Sequence, residues 1–527
     1  MTHTDIIKKY LPEDTKTTMH GRTIIASVSS EALPEVVLLL SRHHDLPVTT
    51  VFAVDDRAAL DSFKIYYVFG VPKEHYFIAL MLTLKGTTEF PSLAGICQAA
   101  TLYEGRMQEL FGLTPVGRPS PAQPTLLHEN WPQGIHPMRK DFAMKDGEKQ
   151  KGDEGMQYQF ATIEGEGIYE VPVGPVHAGI IEPGHFRFSM AGEEILNLEA
   201  KLGWMHKGSE KLFETLPLAD QVRLSERIAG DTSFVHSTAF CGALEELAGV
   251  AVPSRAQYLR VIFGELERLA NHLGDIGFIM FDTGFNFGGS QLTRLRERVM
   301  QRAEELTGSR FLRGVNVVGG VTRDIDKHKA AALLLDLEQL EKDMEETIAI
   351  TKQSSVFDNR VSGTGTLAHD AAKDHGAVGV PARASGLPVD ARTDHPYAAY
   401  GAFAVLPEVE TSGDVEARFM VRVREVRASI GLIKEALEKM PQGEILAKVG
   451  TPAFEKNSCV VAVAEGWRGE VAYVVLTDSA GKIKRVSVRD PSFINWHLPP
   501  QAAPGNLILD FPLINKSFNL SYTGSDI

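Results

Sequence analysis

Thiols are scarce in this 527-residue chain: Cys97, Cys241 and Cys459 are its three cysteines, far apart and without a C-x-x-C pair. That excludes a disulfide framework and an iron–sulfur cluster held by this chain alone, which needs a full set of thiolates. All three are read as small buried apolar residues. Long apolar runs are also missing. Phe77–Leu84, FIALMLTL, is among the longest, far short of the ~20 residues that cross a bilayer. The opening MTHTDIIKKYLPEDTK has no apolar stretch of the secretory kind, so a cytoplasmic location is expected, with membrane contact only through partners. Basic charge is in deficit, 54 Lys and Arg against 68 Asp and Glu, a net charge of −14. A nucleic-acid partner, which needs a basic face, is therefore not expected. The glycine pairs Gly319-Gly320 and Gly363-Thr364-Gly365 lack the strand-then-helix context of a dinucleotide fingerprint. No dinucleotide site is therefore expected on this chain. Short repeats and low-complexity tracts are absent.

The chain does have enough apolar content, 43%, to build two or three cores. Residues 1–142 alternate strand-like runs (Thr23–Val28, Val48–Val54, Ile65–Gly70, His75–Leu84) with helical stretches such as Pro34–His43, the pattern of an α/β domain. Residues 143–159, rich in charge and poor in apolar side chains, read as a linker. Residues 160–202 carry strands and turns, with Gly174-Pro175 and Glu182-Pro183-Gly184 as turn chemistry. From Ser209 to Met440 the spacing becomes helical. Over Arg255–Phe278, Tyr258, Val261, Ile262, Leu266, Leu269, Leu273 and Ile276 recur at three and four residues, one apolar helix face. Ala330–Ile350 and Val415–Met440 repeat this. Gln353–Ala399 reads as irregular and glycine-rich, Val460–Val488 as strands turning at Asp478–Gly481, and the remainder as an irregular tail. The fold class is α+β: an N-terminal α/β domain, then a large helical bundle over 160–527 with small β portions at its start and near its C-terminal end.

Several motifs then fall in one order. Glu104…Glu109-Leu110-Phe111-Gly112 and Pro137-Met138-Arg139-Lys140-Asp141-Phe142 resemble the E-R-E-x-x-D-x-F-G and P-L-R-K-D-F signatures of the C subunit of NADH-quinone oxidoreductase, with Gly105 and Arg106 replacing the usual Arg and Glu. Gly174-Pro175-Val176-His177-Ala178-Gly179, Glu182-Pro183-Gly184-His185-Phe186-Arg187-Phe188, His206-Lys207-Gly208, Arg255-Ala256-Gln257, Ala384-Ser385-Gly386, Asp394-His395-Pro396-Tyr397 and Glu465-Gly466-Trp467-Arg468-Gly469-Glu470 resemble the D subunit of complex I. They are closer still to the large subunit of energy-converting [NiFe] hydrogenases of the formate hydrogenlyase type, where both domains are likewise fused.

That resemblance carries a discrepancy. In the hydrogenases two C-x-x-C pairs hold nickel and bridge it to iron through soft thiolates. Here Arg227-Ile228-Ala229-Gly230-Asp231-Thr232-Ser233-Phe234-Val235-His236 stands at the first pair, with Ala229 and Thr232 at the cysteine positions. Asp510-Phe511-Pro512-Leu513-Ile514 leads to Ser521-Tyr522-Thr523-Gly524 at the second, with Ser521 and Gly524 there. The longer tail removed when nickel enzymes mature is not seen after Ile527. No metal bound by this chain is expected, and hydrogen production is not. The family's quinone site is matched only in part: His177 occupies its loop region, but Ile180-Ile181-Glu182 lacks its second histidine and the family's tyrosine falls near Gly230. Tyr522 and Tyr397 are replacement phenols, though ordinary structural tyrosines fit them better.

The resemblance implies a cavity lined by Glu182, Asp231, His236, Arg227, Ser521 and Tyr522, with Asp390, Arg392, Asp394 and His395 nearby. Carboxylates and imidazoles together suit proton relay; mutual pairing in a helical core is the competing reading. Glu182, in the loop that carries the proton-handling glutamate of the hydrogenases, is either that group or an anchor for Arg187 or Arg227. The implied setting is an oxidoreductase subunit on the cytoplasmic face of the inner membrane. It would sit beside a small iron–sulfur subunit and membrane-arm subunits of the antiporter type, delivering electrons to a quinone-like acceptor or coupling redox and proton chemistry to ion translocation. The alternative is a non-catalytic scaffold or coupling subunit.

Overall fold

The computed structural model describes residues 3–120, 123–149, 158–177, 181–448, 450 and 452–527. After a short helix, His3–Tyr10, come five strands: β1 (Thr17–His20), β2 (Thr23–Val28), β3 (Val48–Asp55), β4 (Ser62–Val71) and β5 (Tyr76–Lys85). They form one mixed sheet in the order β1-β2-β5-β4-β3, with β2 and β5 parallel and the other neighbours antiparallel. Pro34–His43 is the helix Leu33–Leu38 running into a wider turn, Leu39–His43. Helix α1 (Ala100–Phe111) closes the domain, and Gly112 ends it in a left-handed conformation. In the linker, Met144–Lys149 is helical; its residues 150–157 lie outside the described residues.

Strands β4 and β5 are buried on both faces, which explains their near-continuous apolar runs. Ile65, Tyr67, Ile78 and Leu80 face the domain's own helices. Tyr66, Val68, Phe77 and Ala79 face a second sheet. That sheet is an antiparallel meander formed by residues 459–489, so the amino-terminal sheet is roofed by a distant part of the chain. Phe493 and Ile494 also enter the amino-terminal core.

The second region begins with an antiparallel sheet of β6 (Ile168–Val173), β7 (His185–Ala191) and β8 (Glu194–Lys201). Helices follow: α2 (Ser233–Ala248), α3 (Ser254–Asp282), α4 (Asn286–Thr307) and α5 (Lys327–Thr351). The stretch expected to be irregular contains short helices, including α6 (His369–Asp374), α7 (Gly379–Ala384) and α8 (Ala391–Asp394). They are too short to show a periodic stripe, and Asp390 caps α8 by accepting from the Arg392 amide. Helix α9 (Val415–Lys439) completes a bundle around α3, whose apolar face is solvent-free from Leu259 to Met280.

Strands β9 (Cys459–Gly466), β10 (Gly469–Thr477) and β11 (Ile483–Arg489) alternate strictly. Val461, Val463 and Val474 face the amino-terminal sheet, while Val460, Ala462, Tyr473 and Val475 face α2. The tail is also helical rather than irregular: α10 (Pro491–Asn495), α11 (Phe511–Phe518) and α12 (Tyr522–Asp526). Asp490 and Ser521 cap α10 and α12. Cys241 and Cys459 are buried as expected, but Cys97 is partly exposed.

Candidate functional site

The positions that resemble metal-ligand sites converge where α2, α10 and α12 begin. Thr232 precedes α2, and its hydroxyl accepts the Trp467 indole N–H at 3.1 Å. Asp231 is held by both arms of Arg468, at 2.7 and 2.8 Å, and that guanidinium stacks over Trp467. Burial works to raise the Asp231 carboxyl, and Arg468 outweighs it, holding it below the usual range. From α3, Glu267 accepts the amides of Phe234 and Val235 at 2.7 and 3.2 Å, supplying the cap that α2 lacks. Burial still pushes its carboxyl up to about 8.

Asp490 stands at the centre. One oxygen lies 3.0 Å from His236 Nε2 and the other accepts the Ser492 amide at 2.7 Å. His236 Nδ1 meets the Tyr473 hydroxyl at 3.1 Å. Burial tends to raise Asp490, but His236 and the nearby Arg468 charge hold it low. Ser521 spends its hydroxyl as the acceptor for the Gly524 amide, at 2.9 Å. A side chain on Gly524 would fall 2.7 Å from the Asp490 carboxyl carbon. A nickel–iron unit does not fit here. The four positions offer a methyl group, two engaged hydroxyls and no side chain, and a carboxylate fills the space in front of the last.

Beside this centre is a second cluster of polar side chains. Glu182 accepts the Thr523 amide in the first turn of α12, at 3.0 Å. Neither proposed arginine anchors it, since Arg187 pairs with Glu170 at 2.7 Å and Arg227 with Glu226 at 3.8 Å. The Arg227 guanidinium is half exposed and donates to the Arg223 carbonyl, so it points away; its backbone carbonyl instead accepts from Lys207. Burial lowers Lys207, opposed by the charges of Glu182 and Asp490. Tyr522, next to Glu182, is pushed up to about 12 by burial. Asp526 is pushed up to about 6 by burial, against hydrogen bonds from the Gly203 and Met205 amides. Sequence reasoning missed Lys207 and Asp526, although Lys207 lies in a quoted motif. Arg106 of α1 reaches the same helix through the Ser525 carbonyl at 3.0 Å.

His177 does not join this cluster. Its Nε2 lies 2.8 Å from the Gly184 carbonyl, bracing the β6–β7 loop. Gly174 has a φ of +82°, and a Cβ there would meet that carbonyl oxygen at 2.2 Å, so the loop closes only with glycine. The loop's residues 178–180 lie outside the described residues.

Asp390 and Arg392 belong to a separate network, deep between α3, α7, α8, α9 and β9. Arg392 pairs with Asp390 at 2.7 Å and Glu265 at 3.1 Å. Arg383 pairs with Glu425 at 2.7 Å and Glu465 at 2.9 Å. Arg268 reaches Glu425 at 3.3 Å, and His272 Nε2 lies 2.7 Å from the same carboxylate. All are nearly solvent-free. Burial lowers His272, against the Glu425 charge, and the four carboxylates of Glu265, Asp390, Glu425 and Glu465 outnumber the three guanidiniums of Arg268, Arg383 and Arg392. The surplus charge resides on Glu465: burial, with the neighbouring Asp390, pushes it up to about 7. Tyr397 accepts the Glu465 amide at 3.0 Å and is a structural tyrosine.

Asp394 touches the network only by accepting the Asp390 amide, at 3.1 Å, and His395 joins neither group. They line a cavity against the amino-terminal domain.

These elements define a helical bundle fused to an α/β domain, with polar side chains at the positions that resemble metal-ligand sites. The comparisons name the class. Residues 26–148 match the family described as Respiratory-chain NADH dehydrogenase, 30 Kd subunit. Residues 282–460 and 450–526 match Respiratory-chain NADH dehydrogenase, 49 Kd subunit. Formate hydrogenlyase subunit 5 of Escherichia coli (strain K12) is 32% identical over 95% of this chain and 89% of its own length. Hydrogenase-4 component G of the same organism is 31% identical over 95% and 88%. A chain of the membrane-bound sulfane sulfur reductase, an archaeal respiratory membrane complex, superposes with a TM-score of 0.64 at 27% identity, covering 69% of this chain and 99% of that one. This chain therefore belongs to the fused 30/49-kDa large-subunit family of complex I-like oxidoreductases and energy-converting hydrogenases.

Proposed function

We propose that this chain serves as the large subunit of a multi-subunit, membrane-associated oxidoreductase and works without nickel–iron chemistry. It takes electrons from a cluster on a small iron–sulfur partner, delivers them to a quinone-like acceptor, and couples the step to ion movement through membrane-arm partners. No helix among the described residues is long and apolar enough to cross a membrane. On this reading attachment runs through those partners, at the cytoplasmic face.

The observation that carries this reading is the Asp490 carboxylate in front of Gly524, which replaces soft metal ligands with a hydrogen-bonded acid–imidazole pair. Reduction of a quinone takes up two protons with two electrons. Glu182 lies within charge range of the Tyr522 phenol, Lys207 and Asp526, a cluster able to supply such protons. Glu465 holds a further exchangeable proton in the bundle core.

The test is purification of the intact complex from membranes, followed by elemental analysis and assay with a soluble quinone analogue. Iron confined to the small partner, with quinone-dependent turnover, supports the reading. Stoichiometric nickel in an active complex overturns it. An assembled complex without redox turnover replaces it with a coupling role.

A further inference from the structure

Between the amino-terminal sheet and helices α6–α8 lies a cavity of about 460 Å³, within the range of small-molecule sites. Its walls are apolar on both sides: Pro47, Val48 and Ile96 from the first domain, Val378, Leu387 and Val389 from the second. At the mouth the charges balance. Arg42 faces Asp374 at 3.4 Å and Lys373 faces Asp45 at 3.0 Å, all four well exposed. At the inner end they do not. Glu470 is buried and paired with Arg489, but Asp394 has no ion-pair partner among the described residues. One of its oxygens accepts the Asp390 amide at 3.1 Å. The adjacent His395, 98% buried by its exposure of 2%, stacks on Phe77 and leaves Nδ1 without a hydrogen-bond partner. Burial pushes that imidazole down to about 3, so it stays neutral and supplies no countercharge.

Burial, with the charges of Glu470 and Asp390, pushes the Asp394 carboxyl up to about 6, against the Asp390 amide and the His75 charge. A carboxylate without an ion-pair partner at the end of an apolar-walled cavity is complementary to one kind of ligand. The geometry points to a binding site for a small organic ammonium, with its charge on Asp394 and its apolar body between the two domains. An anion meets the repulsion of Asp394 and Glu470. A divalent metal lacks donors, since no group of three or more His, Cys, Asp or Glu suited to a metal occurs among the described residues. The site is independent of the electron-transfer reading, and its readout is occupancy.

Cys97 lines the same cavity and is the partly exposed thiol of the three, so it reports occupancy. The experiment is iodoacetamide alkylation of Cys97 in the full-length chain, followed by mass spectrometry, with n-butylammonium, n-butanol or butyrate as probe. At twice its Kd, n-butylammonium is expected to slow alkylation about threefold. Butanol and butyrate leave the rate unchanged, and Asp394→Asn removes the protection. No slowing by the ammonium, equal slowing by butanol, or slowing by butyrate overturns the proposal on wild-type protein alone. Undiminished protection in a folded Asp394→Asn variant overturns it as well.

Discussion

Asp490 and Gly524 exclude a side chain at position 524: its Cβ would sit 2.7 Å from the Asp490 carboxyl carbon. That carboxylate is fixed by His236 and by the Ser492 amide, so it has no free direction in which to yield. Gly524→Cys is therefore expected to destabilise the chain by about 1–3 kcal/mol through overpacking. The double variant with Asp490→Ala should recover part of that loss, a non-additivity of about 0.5–3 kcal/mol in a double-mutant cycle. Denaturant titration of the four proteins measures it, and strict additivity would show that the two residues do not compete for one space.

The Glu465 carboxyl is raised by burial to about 7. An acid with a raised folded pKa binds its proton more tightly in the folded state, so folding stability falls as pH rises from the unfolded carboxylate range toward 7. Glu465→Gln loses a good contact to either Arg383 or the Ala391 amide and starts from a lower stability. Its stability should nevertheless decline less between pH 5 and pH 7 than that of the wild type. Parallel pH profiles of unfolding free energy would place the surplus charge elsewhere.

Glu182 is tied to the chain through one backbone amide, from Thr523, and Gln keeps an acceptor for it. The Glu182→Gln complex is expected to assemble normally and lose turnover or ion transport by about 10²–10⁴-fold, the range for a lost proton-transfer group. Native gels and activity on the same preparation decide it. Full activity removes the proton role, and failed assembly makes Glu182 an anchor of α12.

Arg260 of α3 grips Glu245 of α2 with both nitrogens, at 2.6 and 2.8 Å, in a nearly dry setting. Truncating one partner leaves the other charge buried and alone. Arg260→Ala and Glu245→Ala should each cost about 3–5 kcal/mol, read as a shift in denaturation midpoint. A double variant replacing both with apolar residues should be milder than either.

The sequence by itself determined the elements with a strong local period. Strands β2 to β5 and β9 to β11, and helices α3, α5 and α9, fall within a few residues of their apolar patterns, because alternation and three-to-four spacing follow from which face is buried. It also determined which positions lack thiols, a matter of residue identity. The short helices α6 to α8 and α10 to α12 were not legible, since one or two turns stabilised by a cap and by packing leave no periodic trace. Nor could the order of residues sort the candidate site. Asp390, Arg392, Asp394 and His395 are neighbours in sequence, yet the first two pair inside the bundle while the last two face a cavity against the other domain. Conversely, Asp490 reaches Gly524, and Arg468 reaches Asp231, only because the β9–β11 sheet is clamped between the amino-terminal sheet and α2. Proximity between distant segments is set by which apolar faces bury one another, and that is decided only in the folded chain.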